Sequence, residues 1–552
     1  MTFGSGAARR PGAPRLALAA IAAACSPDSA VQPPPVGMTG GATLPPPVTA
    51  GGGATAGGGD PACQPDDPGT TTTGPPKFDV GGTGGAVLPV SCADLDTARS
   101  NLGCVFWAVD LPNDEQGTPS SPPAADQPFA VVVANTSALV PANVAVYVGD
   151  GAAPVQTAVV EVDATETFVL DGGDLSAKTP GTGGTAFRIE SDVPVTAYQF
   201  NPLDNTNPVY SNDASLLLPE HVLGEAHGVL SGDGIYLSSS PEDPMPAPAG
   251  AFVAVVATAD GTRVSVEPSA KVVPGPLDPV LLDRGEVLTV LSEVSASVNN
   301  LSGSRVTADA PVAVFAGNVA TAEPVAAQVC CADHIEHAIP PIDVWGTTYV
   351  VVPPPAAGGD GDDPYVLRVV AAYDDTPVGY CPARPQGAPE SLGAFAVATL
   401  ALDGPVVLRS DDPDKPLFAA QFLESQGALP DNPAGYGDPA MVVVTPVAQF
   451  ETKYVFAVPD GYTGGNYVTV VTADPGGVDL DDAVLDAGLF EEAGVAGGRT
   501  YYYAHRPVQP GAHRVTCPAG CGIRVVGYDE SVSYGYPGGA GLSVIAIPPV
   551  AG

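Results

Sequence analysis

Asp333-His334-Ile335-Glu336-His337 places two imidazoles and two carboxylates within five residues, a donor set able to ligate a divalent metal. Its spacing is not His-Glu-x-x-His, which puts both histidines on one helix face, and it is one residue shorter than the inverted His-x-x-Glu-His form. The same residues also read as a polar connection into the Pro340-Pro341 turn, and on spacing that structural reading takes precedence. Asp360, Asp362 and Asp363 in one loop, and Asp479, Asp481 and Asp482 in another, offer the oxygen ligands calcium prefers but lack the EF-hand pattern. Solvated turns are the default for such loops. Calcium is therefore the only cofactor admitted, and none is required. Nucleophilic catalysis finds no Gly-x-Ser-x-Gly, and Ser533 lacks the first glycine. Among 61 acids some carboxylates always lie close, so pairing alone does not mark a glycosidase. The expectation is a non-enzyme, with an exported hydrolase using a carboxylate or metal site as the alternative.

The cysteines carry a second kind of chemistry. Cys517 and Cys521 can staple a turn, and Cys92 and Cys104 bracket the start of the first repeat. Cys330 and Cys331 are adjacent and are expected to bond to distant partners. Tyr501, Tyr502, Tyr503, Tyr534 and Tyr536 can serve either as core or as a protein- or glycan-binding face, because consecutive strand residues point to opposite sides.

From Lys77 onward, short β-branched and aromatic runs alternate with Gly, Pro and Asp turns, with no long helical periodicity. The order of segments recurs at intervals of ~105–120 residues. An opening reads Pro219…Leu223-Gly224, Pro341…Trp345-Gly346 and Pro446…Phe450-Glu451, with a divergent first copy at Leu102-Gly103. A strand recurs as Phe129-Ala-Val-Val-Val-Ala134, Phe252-Val-Ala-Val-Val-Ala257, Tyr365-Val-Leu-Arg-Val-Val370 and Tyr467-Val-Thr-Val-Val-Thr472. Each copy closes with a signature read as two strands, ending at Phe200, Phe315, Phe422 and Tyr528. The predicted fold is all-β, with four internal repeats of about six strands each. They are placed as tandem β-sandwich-like modules at 77–213, 214–336, 337–441 and 442–552; a closed β-propeller-like assembly is the alternative.

Arg9, Arg10 and Arg15 precede a short apolar run at 16–24 that ends in small residues before Cys25. This is the pattern of an export signal over 1–24, too short for a membrane span. Ile21-Ala22-Ala23-Ala24-Cys25 resembles the bacterial lipobox, in which the cysteine receives lipid; cleavage by ordinary signal peptidase is the alternative. Residues 25–76 are almost wholly Pro, Gly, Ala, Thr, Ser and Asp and read as a disordered tether reaching roughly 40 Å. The predicted location is the outer membrane, as a lipoprotein, or the extracellular space, with membrane contact only through the lipid on Cys25. A formal charge of −41 repels phosphate backbones, so nucleic acid is not an expected partner.

The stretch from Cys331 through Asp333, His334, Glu336, His337, Trp345-Gly346 and Tyr349 to Pro353 resembles the IgGFc-binding protein N-terminal domain family. So do Gly103-Cys104-Val-Phe106-Trp107 and the segment Val526-Gly527-Tyr528 through Tyr534-Gly535-Tyr536-Pro537-Gly538-Gly539. The resemblance covers most of 90–548. It implies a secreted or surface-attached module for adhesion or recognition, taking a protein or glycan ligand, and it supplies no catalytic residues.

Overall fold

Val, Ala, Phe and Tyr runs such as Phe129–Ala134 and Ala251–Ala257 are buried on both faces, so they read as continuous apolar strands rather than alternating ones. The computed structural model describes residues 63, 64, 89 and 91–546, apart from 98, 116–122, 138, 171–176, 204–210, 238–246, 276, 295–299, 326–330, 431 and 433. Among the described residues every regular element is a β-strand or a short 3-10 turn. No helix among them is long and apolar enough to cross a membrane.

One long strand organises each of the repeated stretches: Phe187–Asn201, Arg305–Thr321 and Gly511–Asp529, with the pair Val406–Arg409 and Leu417–Leu423 in the third. Its first half pairs antiparallel with the opening strand, which is Gly103–Ala108, Gly224–Gly228, Thr348–Val351 or Glu451–Val458. Its second half pairs on one side with Phe129–Ala134, Ala251–Ala257, Tyr365–Ala371 or Gly465–Thr472. On its other side lies an inner strand, Asp213–Leu216, Asp333–Ala338, Met441–Val443 or Val532–Pro537. The closing signature is thus one bent strand in three stretches, not two strands. The bend falls at Pro194, Pro311 and the Cys517–Cys521 loop, where the register against the opening strand shifts. A strand that switches sheets at a bulge turns the corner of a small sandwich. In the third stretch the Pro413- and Pro416-containing loop is long enough to divide it.

Tandem sandwiches would keep each core within its own stretch. Here the inner strands touch in sequence, 213–216 against 333–338, then 441–443, then 532–537, and the last returns to 213–216. Buried apolar clusters likewise bridge the first and second stretches, the second and third, the third and fourth, and the fourth and first. The sheets therefore form a closed ring, because each buries its faces against its neighbours. The module boundaries drawn at 213, 336 and 441 cut through inner strands that run to Leu216, Ala338 and Val443.

The recurrent opening has a local cause. Pro219, Pro341 and Pro446 each precede a single 3-10 turn, with φ of −70°, −65° and −67°, where the ring of proline is preorganised and its missing N–H costs nothing. The glycine that follows admits the next proline: a Cβ on Gly103, Gly224 or Gly346 would lie 2.1, 2.5 or 2.4 Å from the Cβ of Pro219, Pro341 or Pro446. After the fourth opening the C-terminal segment takes over. Ala540 O accepts from Asn101 N (3.0 Å), Ala540 N donates to Asn101 Oδ1 (3.0 Å), and Leu542 O accepts from Arg99 Nε (3.2 Å).

Cys92–Cys104 and Cys517–Cys521 are disulfides. Cys63 is bonded to Cys381, so the stretch read as a tether carries a covalent fixed point on the third unit. Cys25, the export signal and all the rest of 25–76 except Gln64 lie outside the described residues.

Candidate functional site

Where the four inner strands meet, the core becomes polar. Asp213 is fully buried, and its carboxylate accepts backbone N–H groups from every inner strand. Oδ1 takes Ala214 (2.8 Å) and Gly535 (3.0 Å); Oδ2 takes Met441 (3.0 Å) and Glu336 (3.1 Å). Asp333 repeats the device, accepting from Asn212 N (2.9 Å) and Ser533 N (3.3 Å). Asp438 Oδ1 accepts from Cys331 N and Gln426 N, both at 3.1 Å, and its own N–H donates to Ser533 Oγ (2.9 Å). Short inner strands leave backbone donors that neighbouring strands do not reach, and these side chains satisfy them.

The Asp333–His337 segment is therefore a buried inner strand, and alternation sends Asp333 and His337 to one face and His334 and Glu336 to the other. Glu336 accepts from Gln199 Nε2 at 3.1 and 3.3 Å and lies 3.4 Å from His334 Nε2. The His334 ring stacks on Phe252 at 5.8 Å, and His337 Nδ1 donates to Ala338 O at 2.8 Å. Of the four residues read as possible metal ligands, His334 and Glu336 lie side by side while Asp333 and His337 turn to the other face, and no group of three such ligands forms among the described residues. Two carboxylates of the loop read for calcium have protein partners. Asp362 turns to Tyr503 (2.8 Å) and His505 (3.1 Å) of the fourth unit, whereas Asp363 accepts from Ala357 N (2.8 Å) in its own loop. His505 in turn contacts Thr469 Oγ1 at 2.8 Å through Nδ1, but that threonine is buried, so this Asp-His-Thr chain presents no open nucleophile.

Burial drives the carboxyls of Asp213, Asp333 and Glu336 well above the usual carboxylate range, and neighbouring carboxylates add to this at Asp333 and Glu336. Burial also lowers His334 to about 3 and His337 to about 4, so both rings are neutral at physiological pH. Asp438 is pushed up to about 7 by burial, against its two backbone N–H bonds, and its Oδ2 is buried without a partner. A folded-state value raised above the unfolded one means stabilisation that is present at low pH and lost as pH rises through the folded value. Between pH 6 and 8 the wild type should lose about 1 kcal/mol relative to Asp438→Asn, which keeps the Oδ1 acceptor and cannot ionise. Urea unfolding of both proteins across that range checks this; a gap that stays constant with pH contradicts it.

Three arginines absent from the sequence-based site candidates mark the joints of the ring. Arg284 pairs with Asp150 (3.0 Å) and Glu220 (3.2 Å) and lies over the Trp107 ring. Arg368 pairs with Glu323 (2.6 Å) and Asp233 (3.6 Å) and lies 4.3 Å over the Phe422 ring. Arg524 sits at the third joint. A lone arginine inside an apolar strand, as in Tyr365-Val-Leu-Arg-Val-Val370, was the signal that could have found the last two.

A family model described as IgGFc binding protein matches residues 213–527. A human protein named IgGFc-binding protein is 27% identical over 389 residues, which is 68% of this chain and 6% of that protein's length. No solved structure matches significantly. The family match takes in more than half of the chain, from the first inner strand to the last closing strand, and the chain belongs to the IgGFc binding protein family.

Proposed function

We propose that this chain is a non-enzymatic, exported binding protein that recognises a protein or glycan on the outside of its β ring. The observation that carries this reading is where the polar chemistry lies. The buried acids and histidines named above are spent on joining strands, and two cavities between the units measure only about 40 Å³ each, room for a few waters rather than a substrate. Family membership supports binding as the class of activity. Recognition then falls to the exterior. The edge strands Gln156–Val160 and Thr165–Leu170 of the first unit, with the turns beside them, carry exposed Leu139, Val155, Val159 and Val169. Apolar side chains gathered at a free sheet edge are suited to docking a partner. In this reading Cys25 carries the lipid that holds the molecule at the outer membrane.

The test is capture by the purified chain from immobilised immunoglobulin G Fc, secreted proteins and surface polysaccharides, alongside a hydrolase screen with and without chelator. A saturable ligand lost in Val159→Asp with unchanged unfolding midpoint is the expected result. No capture from any panel, or chelator-sensitive hydrolysis, overturns it.

A further inference from the structure

The joint between the third and fourth units holds a half-open cavity of about 40 Å³ walled by Val350, Val352, Val442, Phe450 and Ile523, with Gln421, Thr469 and Arg524 also at its lining. Arg524 differs from the other two joint arginines in its partners. Its Nη1 donates to Val352 O (3.1 Å) and to the Gln421 side-chain oxygen, and its Nη2 donates to Pro353 O (2.8 Å) and Thr469 Oγ1 (3.4 Å). All four acceptors are neutral. The remaining donor, Nε–H, is buried and has no partner. Asp362, whose field reaches this arginine, spends its two oxygens on Tyr503 and His505. Burial lowers the guanidinium to about 10, which leaves it cationic at neutral pH.

A half-buried cation whose one unused N–H is buried beside a mostly apolar cavity is incomplete, because a buried donor taken from water is compensated only by an opposite charge or a hydrogen bond. The void is too small for a phosphate ester, and its valine and phenylalanine walls disfavour strongly hydrated divalent anions. We propose that this cavity binds a small monovalent anion, a halide or a short carboxylate, held by the Arg524 guanidinium against apolar walls. Thr469 is a positioning residue: with Asp362 accepting from His505 Nε2, Nδ1 accepts a hydrogen bond from the threonine hydroxyl, and the threonine oxygen is left to accept from and orient Arg524.

The experiment uses the full chain at constant ionic strength in sodium chloride, bromide, acetate or gluconate. Unfolding midpoints should rise saturably in at least one of the first three and not in gluconate; a response to halides alone or to acetate alone identifies the source. Crystals in bromide should show an anomalous peak in contact with Arg524. Arg524→Gln should weaken the apparent affinity by at least about tenfold, the value of one charged hydrogen bond. Should that variant fail to fold, Thr469→Val and the wild-type bromide crystals decide. Equal midpoints in all four salts, bromide only on the outer surface, or an Arg524→Gln chain with the full response overturns the site.

Discussion

Asp213→Ala will destabilise the protein by at least about 4 kcal/mol, since it orphans four buried backbone donors that each cost about 1–3 kcal/mol when unsatisfied. Those donors belong to all four inner strands, so the loss is felt around the whole ring rather than in one sheet. Asp213→Asn will not rescue it. Its single oxygen can serve only one pair of N–H groups, and its amide turns donors toward the other pair. Chemical unfolding measures the loss, and limited proteolysis should show cleavage in every unit. An alanine variant within about 1 kcal/mol of wild type would show that water or backbone shifts replace the carboxylate.

Arg368→Ala should cost about 3–5 kcal/mol, the range for removing one partner of a buried ion pair. Glu323 would be left buried beside Asp233, with its carboxyl already raised by burial and now without the guanidinium that lowers it. The loss of the guanidinium over Phe422 adds to this. Glu323→Ala added to Arg368→Ala should be less harmful than the sum of the two single changes by at least about 1 kcal/mol. Additive changes would mean that the pair is not coupled and that the joint is held by its apolar contacts.

The strands, the recurrent openings and the closing signature were legible because they are local: apolar runs, prolines and glycines announce themselves. The choice between separate sandwiches and a ring was not, since it depends on which faces pack, and runs such as Ala251–Ala257 are apolar on both sides. The Asp333–His337 cluster was legible as polar, but its place on a buried inner strand was not. Four polar residues within five positions look like a ligand set until they are placed on a strand, which divides them between opposite faces. A better clue was present: Asp333 and Asp438 each stand eight residues before an opening proline, Pro341 and Pro446. Asp213 stands six before Pro219, so recurrence alone would have missed the residue that binds most strands.

The seam where Asn101 and Arg99 grip Ala540 and Leu542 joins the two ends of the folded body side by side. Because Cys63 is bonded to Cys381, a pull from the N-terminal side passes into the third unit before it reaches this seam, which is then loaded only through its C-terminal partner. Reducing the Cys63–Cys381 bond would remove that bypass and let a two-ended pull reach the clasp from both sides.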